Sequence, residues 1–155
     1  MKTFISYSTA LDQIIALRLQ TMAAVYGMTI YVPPASTRQA GGTGLLIPEV
    51  QEHLRQSDVV LAVITHRPTP SAVSEMNSAV TLRKLLIPIV GPGVPPEYYS
   101  NFEPYFLVDP HDPSQAEQQL VQFLAGKQQA EAARTAVLAL TTLAIALLLL
   151  GSKSK

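Results

Sequence analysis

Two uninterrupted apolar segments constrain the fold of this chain more than any other feature. Residues 58–65 read DVVLAVIT, and residues 85–90 read LLIPIV. Runs of this length, rich in β-branched residues and without polar alternation, are typical of strands that are buried on both faces. Such strands need helices above and below the sheet, so the two segments favour an α/β architecture with a parallel sheet.

Shorter β-rich segments at 3–7, 28–32 and 105–108 predict three further strands, with helical patterns between most of them. The apolar residues that recur at helical spacing are Leu11, Ile14, Ile15, Met22 and Val25, then Ile47, Val50 and Leu54, then Val73, Met76 and Val80, and finally Ala116, Leu120, Phe123 and Leu124. Five strands joined in this way predict a flavodoxin-like, doubly wound parallel sheet with the order 2-1-3-4-5. The Pro- and Gly-rich stretch 91–104 stands where a fourth crossover helix would be expected.

The soluble part of the chain is predicted to be one domain, residues 1–126, because its length suffices for a single core. Gly126 is expected to end or kink the last helix of that domain, and residues 127–134 are expected to form a helical linker. Met1 and Lys2 lead directly into the first strand, without a secretory leader. The sequence therefore predicts that this domain is cytoplasmic.

Residues 135–152 form a long uncharged segment, TAVLALTTLAIALLLLGS, bounded by Arg134 and Lys153. At 1.5 Å per residue, a helix of this length measures about 27 Å, close to the hydrocarbon thickness of a bilayer. The segment predicts a single transmembrane helix in contact with the lipid bilayer, followed by a basic tail at 153–155. A buried or oligomerising helix is the alternative.

The overall composition argues against several kinds of partner. The net charge is zero, so there is no excess of basic side chains to neutralise nucleic-acid phosphates. The chain has no cysteine, which excludes disulfides and thiolate zinc sites. The three histidines, His53, His66 and His111, are far apart and show no metal-ligand spacing. We therefore expect neither nucleic-acid binding nor a metal.

Topology locates a candidate site before any family is considered. Ligands of doubly wound sheets bind beyond the carboxyl ends of the strands where the winding reverses, here between the first and third strands. The loops that follow these strands are residues 6–9 and residues 65–71. Glu75 is expected close by, in the first turn of the next helix. Its carboxylate is either a functional group or a surface charge favoured by the helix dipole.

Several segments occur in an order and spacing that match one known family. They are FISYS at 4–8 followed by Asp12, a glycine-containing loop and helix leading to LRQSDVVLAVIT at 54–65, TPSAVSEMNSA at 69–79 with Glu75 six residues after Thr69, and KLLIPIV at 84–90 with its internal proline. This set covers about residues 3–125 and resembles the Toll/interleukin-1 receptor (TIR) domain family. Ser71 stands where many members carry tryptophan, and the fourth helix is degenerate.

The resemblance implies cleavage of NAD at the nicotinamide N-glycosidic bond, by hydrolysis or by cyclisation. NAD would be the substrate, with no separate cofactor and no metal. Glu75 would be the catalytic group. The substrate-binding residues would be Ser6, Tyr7, Ser8, Arg38, Gly44, Thr65 and Ser71. Arg38 to Gly44 resembles the family's flexible gating loop, in which Arg38 either meets a phosphate or is merely solvated.

Two classes of function follow from the resemblance. One is a membrane-tethered NAD-consuming effector of signal transduction and antiviral defence, activated when copies associate as homo-oligomers through TIR–TIR contacts. The other is a non-catalytic TIR scaffold that signals through the same contacts. Glu75 favours the enzyme, since a scaffold needs no carboxylate there. A nucleoside deoxyribosyltransferase-like enzyme is a third possibility, but the sequence shows no further acidic residues suitably placed near a sugar.

Overall fold

The structure, a computed structural model, describes the backbone of residues 1–38 and 44–151 and the side chains as far as residue 138. Within those residues five strands alternate with α-helices except between the last two strands: β1 (Lys2–Ser6), α1 (Ala10–Val25), β2 (Thr29–Tyr31), α2 (Pro48–Gln56), β3 (Val59–Ile64), α3 (Pro70–Thr81), β4 (Leu85–Val90), β5 (Phe106–Leu107) and α4 (Ser114–Gly151). Two short 3-10 helices lie at Ala35–Arg38 and Pro96–Tyr98. The second of these is the helical element found in the degenerate stretch 91–104.

The strands form one parallel sheet in the order β2-β1-β3-β4-β5, which confirms the predicted topology. Phe4 of β1 lies opposite Tyr31 of β2 on one side and Val60 of β3 on the other. Val60 in turn lies opposite Leu86 of β4. The two segments with the longest apolar runs are therefore neighbours, and all six residues of β3 are buried.

Alternate residues of the central strands pack against helices on opposite faces of the sheet. On one face Phe4, Val60 and Ile64 form a buried cluster with side chains of α2 and α3. On the other face Ile89 of β4 lies beside Ile15 of α1 and the first turns of α4. Both faces are covered, as the continuous apolar pattern of β3 and β4 requires.

Truncation of Ile64 to alanine should destabilise the domain by about 2–5 kcal/mol, the range for a large-to-small change in a packed core. Ile64 is the last residue of β3 and is 3% exposed. Val25→Ala is the control, because Val25 is 83% exposed and its truncation should change stability by less than about 0.5 kcal/mol. Urea unfolding followed by circular dichroism measures both. Equal, small effects would show that β3 is not central.

The predicted apolar face of α1 is only partly right. Ile15 is buried, but Ile14 is 56% exposed and Val25 is 83% exposed. The residues of α1 that are buried are Asp12, Ile15, Ala16, Leu19 and Ala23. The buried face combines a carboxylate with small alanines, whereas the prediction followed the larger side chains alone.

The predicted face of α3 is also only partly right, since Met76 is half-buried and packs against the core cluster. Val73 and Val80 are exposed, and the helix instead buries Ser71, Ala72, Glu75 and Ala79. Small side chains at this face let α3 lie close to the sheet. The charged Glu75 is therefore inside the domain, and the interpretation of Glu75 as a surface charge is excluded.

The last helix, α4, is longer than expected. It begins at Ser114 and continues through Gly126 to Gly151, so Gly126 does not end it, and the predicted linker 127–134 is helical. The chain divides into two compact units, Met1–Val121 and the part from Gln122 onward. Among the described residues, no helix is long and apolar enough to cross a membrane. Most of the predicted span, 139–152, lies outside the described side chains, as does the basic tail.

Candidate functional site

The carboxyl ends of β1 and β3 lie side by side in the centre of the sheet, at the point where the winding reverses. Ser6 is the last residue of β1, and Ile64 is the last residue of β3. The segments that follow lead into the first turns of α1 and α3. This is the crevice in which open α/β sheets bind their ligands.

Asp12 holds the two loops of this crevice together. Its Oδ2 accepts backbone hydrogen bonds from Ser8 and Thr9 at 3.2 Å each. Its Oδ1 accepts a hydrogen bond from the hydroxyl of Thr65, which follows β3. The Thr9 hydroxyl accepts from the Asp12 backbone N–H, which completes a capping box at the start of α1. A fully buried carboxylate thus fixes both loops.

Ser8 makes a second connection between the loops. Its Oγ accepts a hydrogen bond from the backbone N–H of Thr69 at 2.9 Å. Thr69 is the N-cap of α3, and Pro70 is suited to the first helical position because it lacks an N–H that would need a partner. These contacts set where α3 begins and hence where Glu75 lies.

Glu75 is the central residue of the crevice, and it is 0% exposed. Ser6 Oγ donates a hydrogen bond of 2.7 Å to Glu75 Oε1. Arg38 Nη2 donates to Glu75 Oε2 at 2.8 Å, which makes a buried ion pair. Both carboxylate oxygens therefore have partners, one neutral and one charged.

Arg38 is the last residue of the 3-10 helix Ala35–Arg38, and its side chain is 4% exposed. Its guanidinium carbon lies 4.7 Å from the centre of the Tyr7 ring, in cation–π contact. The Tyr7 hydroxyl donates to the Pro33 carbonyl at 2.6 Å, and Ser71 Oγ donates to the Thr37 carbonyl at 2.7 Å. These two bonds attach the segment that carries Arg38 to β1 and α3.

The guanidinium of Arg38 is incompletely bonded. Its Nε and Nη1 are buried and have no hydrogen-bond partner among the described residues. Buried N–H groups are normally paired, and leaving them unpaired costs free energy. The ion pair is therefore a single-point contact and not the bidentate arrangement that a guanidinium can make with a carboxylate.

The surroundings of the site shift the pKa values of Glu75 and Tyr7. Burial raises the pKa of Glu75 above its ordinary value, while the charge of Arg38 and the hydrogen bond from Ser6 act in the opposite direction. Burial likewise raises the pKa of Tyr7, opposed by Arg38. Tyr7 is thus a neutral donor and an aromatic surface at neutral pH.

A cavity of about 190 Å³ adjoins the ion pair. Its lining consists of Ser36, Thr37, Arg38, Leu45, Leu46, Ile47, Val50, Ser71 and Glu75. Besides the carboxylate of Glu75 and the guanidinium of Arg38, the lining has three hydroxyl residues and four aliphatic residues. A carboxylate in such a place can stabilise a developing positive charge, and a guanidinium can hold an anion.

Gly44 approaches α3 closely. Its φ is +75°, and a Cβ at this position would lie 3.0 Å from Ser74 Oγ and 3.2 Å from the Pro70 carbonyl oxygen. Glycine therefore allows the end of this loop to pass over the first turn of α3. The rest of the predicted gating loop, residues 39–43, lies outside the described residues.

The structure brings most of the sequence-predicted site residues together. Ser6, Arg38 and Glu75 form one bonded chain, with Tyr7 against the guanidinium. Ser8 and Thr65 lie at the same edge of the sheet but bond to Thr69 and Asp12 instead of Glu75. Sequence reasoning missed that Asp12 organises the loops, although Thr9-x-x-Asp12 is a visible capping pattern.

Two larger cavities lie elsewhere at the carboxyl end of the sheet. One of about 780 Å³ adjoins β4, β5 and the start of α4 and includes Asp109 and Asp112. Another of about 470 Å³ adjoins His66, Arg67 and Tyr98. Neither contains a buried, bonded pair of charges like that at Glu75. Among the described residues no three His, Asp or Glu side chains are grouped to hold a metal ion.

Comparison with known proteins adds no assignment to this geometry. No protein-family model matches the chain, and no curated protein matches it significantly.

Proposed function

We propose that this chain is a TIR-type NAD glycohydrolase or cyclase, tethered to a membrane by residues 135–152 and activated by self-association. The proposal combines the sequence resemblance with the position of Glu75. The observation that supports it most is the burial of Glu75 in the crevice between β1 and β3, bonded to Ser6 and Arg38. A carboxylate is rarely buried without a partner, and perturbed groups in clefts are frequently functional.

One carboxylate suffices for the proposed chemistry. The nicotinamide ring of NAD is positively charged and departs as a neutral molecule, so its departure needs no general acid. The transition state at the ribose resembles an oxocarbenium ion, and a buried carboxylate stabilises that positive charge. Water, or the adenine of the same NAD, then forms a bond to the ribose carbon that nicotinamide has left. Attack by water gives linear ADP-ribose, attack by adenine gives cyclic ADP-ribose, and each releases one proton to solvent. Glu75 is the catalytic residue in this proposal.

The direct experiment is to incubate the full chain, reconstituted on vesicles, with NAD and to separate the products by chromatography. We expect release of nicotinamide, with a rate per molecule that rises as the protein becomes denser on the vesicle surface. Tethering many copies to one surface raises their effective concentration. NAD that stays intact at the highest density would contradict the enzyme proposal.

A non-catalytic scaffold is the second candidate, and one observation favours it. Both oxygens of Glu75 are engaged and its side chain is closed to solvent. An ion pair of this kind is also compatible with a purely structural role. Intact NAD together with self-association on vesicles is the outcome expected of a scaffold.

The membrane tether yields its own prediction. The full chain should sediment with membranes after lysis without carbonate, whereas a chain that ends at Gly126 should stay in the supernatant. Leu143→Arg should weaken the association, because an arginine at mid-span costs about 2.5–3.5 kcal/mol on insertion scales. Leu143→Ala is the control and should sediment like the unmodified chain. Full-length protein in the supernatant would contradict the tether and the single-pass, cytoplasm-facing arrangement that we propose with it.

A further inference from the structure

The site as it stands is closed to a nucleotide. The cavity beside the ion pair measures about 190 Å³, below the range of about 300–1,000 Å³ typical of pockets that hold drug-sized ligands. Glu75 is 0% exposed, and its Oε2 is bonded to the guanidinium of Arg38. A substrate can reach the carboxylate only if Arg38 and Glu75 separate.

The pair is also poised to exchange partners, because Arg38 has spare hydrogen-bonding capacity. Only its Nη2 is bonded to Glu75, while Nε and Nη1 have no partner among the described residues. A phosphate offers several oxygens and accepts a guanidinium in a bidentate manner. An incoming phosphate can therefore satisfy Arg38 better than Glu75 does. The Tyr7 ring lies against the guanidinium and is itself fixed by its hydrogen bond to the Pro33 carbonyl.

Separation of the pair exposes two opposite charges that each need a new partner. Removal of one member of a buried ion pair leaves the other uncompensated, which is strongly unfavourable. An anion alone would compensate Arg38 but leave Glu75 without a counter-charge. A ligand that carries an anion and a cation compensates both.

We propose that the Arg38–Glu75 pair is a latch that opens to a ligand bearing both a phosphate and a cationic ring. The phosphate binds Arg38, and the ribose that carries the cationic ring binds next to Glu75. Arg38 is thus the residue that selects phosphorylated substrates, while Glu75 remains the catalytic residue. The inference rests on the proposed function and adds to it the chemical class of substrate that gains access.

The test compares two ligands that differ only in the phosphate. Nicotinamide mononucleotide has a phosphate and a cationic ring, and nicotinamide riboside has the same ring and ribose without the phosphate. Calorimetry measures their binding to the full chain, and chromatography of the same samples measures nicotinamide release. We expect the mononucleotide to bind about tenfold more tightly or better, as befits charge-assisted hydrogen bonds to a guanidinium.

Variants assign the preference to Arg38. Arg38→Gln keeps a donor for Glu75 but removes the charge, and it should bring the two affinities to within about threefold. Arg38→Lys keeps the charge opposite Glu75 but lacks the planar fork, and it should give an intermediate preference. Arg55→Met is the control, because Arg55 is exposed and its side chain pairs with Glu52 on the surface of α2. The control should keep the full preference.

The outcomes separate the latch from the proposed function. Equal affinities in the unmodified chain, or an unchanged preference in Arg38→Gln, would overturn the latch. If Arg38→Gln does not fold, Arg38→Lys decides, and a preference equal to that of the unmodified chain overturns the proposal. Nicotinamide release without phosphate preference would leave the enzyme standing and reject the latch. A phosphate preference together with NAD that stays intact in the vesicle assay would reject the enzyme and support the latch.

Discussion

Glu75→Gln should lower the rate of NAD cleavage by about a hundredfold or more. The substitution keeps the size of the side chain and its ability to form hydrogen bonds. It removes the negative charge that stabilises the oxocarbenium-like transition state. Loss of electrostatic stabilisation of this kind costs several kcal/mol of activation free energy, and each 1.4 kcal/mol is about tenfold in rate. The measurement is nicotinamide release from NAD by the full chain on vesicles, at saturating substrate.

The same substitution also removes the counter-charge of Arg38, so the folded fraction must be measured at the assay temperature by circular dichroism. Glu49→Gln is the matched control: Glu49 is exposed in the first turn of α2, and its substitution should leave the rate within about twofold. Cleavage that survives Glu75→Gln in folded protein would place the chemistry elsewhere. An equal loss in Glu49→Gln would point to a general effect on folding or assembly.

The sheet could be predicted from the sequence because its signal is local and strong. The apolar runs around Val60 and Ile87 are too continuous for a solvent-exposed strand, and the chain between them is long enough for one crossover helix. Handedness and packing rules then leave few topologies, and the order β2-β1-β3-β4-β5 follows. The edge strand β5, at Phe106–Leu107, is shorter than its pattern suggested, since only one side of it is paired.

The helix faces were harder to predict because hydrophobicity is a poor guide where small residues pack. In α3 the pattern of Val73 and Val80 indicated a buried face, yet the helix buries Ala72, Glu75 and Ala79. Inside the domain, Arg38 compensates the charge of Glu75. That compensation joins residues that are 37 positions apart, and no local window contains it.

The candidate site, like the helix faces, could be predicted from the sequence only in part. Ser6, Tyr7 and Glu75 could be predicted, because the topological rule and the family resemblance both point to the carboxyl ends of β1 and β3. The burial of Arg38 could not, since a lone arginine in a loop is usually solvated. Its position depends on Tyr7, whose hydroxyl bonds to Pro33, and on the attachment of its segment to α3 through Ser71.

Removal of one member of the buried Arg38–Glu75 pair should destabilise the domain more than removal of both members. Arg38→Met leaves Glu75 buried without a counter-charge and should cost about 3–5 kcal/mol near neutral pH. The double variant Arg38→Met/Glu75→Leu removes both charges and should recover most of that loss, because apolar replacements of buried pairs are often neutral or stabilising. Urea unfolding of the single and double variants, completed by Glu75→Leu, gives the coupling free energy of a double-mutant cycle.

The exposed pair Arg55–Glu52 provides the matched comparison, since both side chains lie at the surface of α2. Arg55→Met should change stability by about 0–1 kcal/mol, the range for solvent-exposed ion pairs. If Arg38→Met costs no more than Arg55→Met, the Arg38–Glu75 contact is not a buried ion pair.

The pH dependence of Arg38→Met provides the sharpest check on this prediction. Burial raises the pKa of Glu75, and the charge of Arg38 opposes the rise, so removal of Arg38 should raise the pKa of Glu75 further. A carboxyl whose pKa is higher in the folded than in the unfolded state binds its proton more tightly when folded, so stability falls as the pH rises through the folded-state value. The cost of Arg38→Met should therefore be smaller near pH 5 than near pH 7.5, because Glu75 becomes neutral in the variant. A cost that is the same at both pH values would show that Glu75 is not the group left uncompensated.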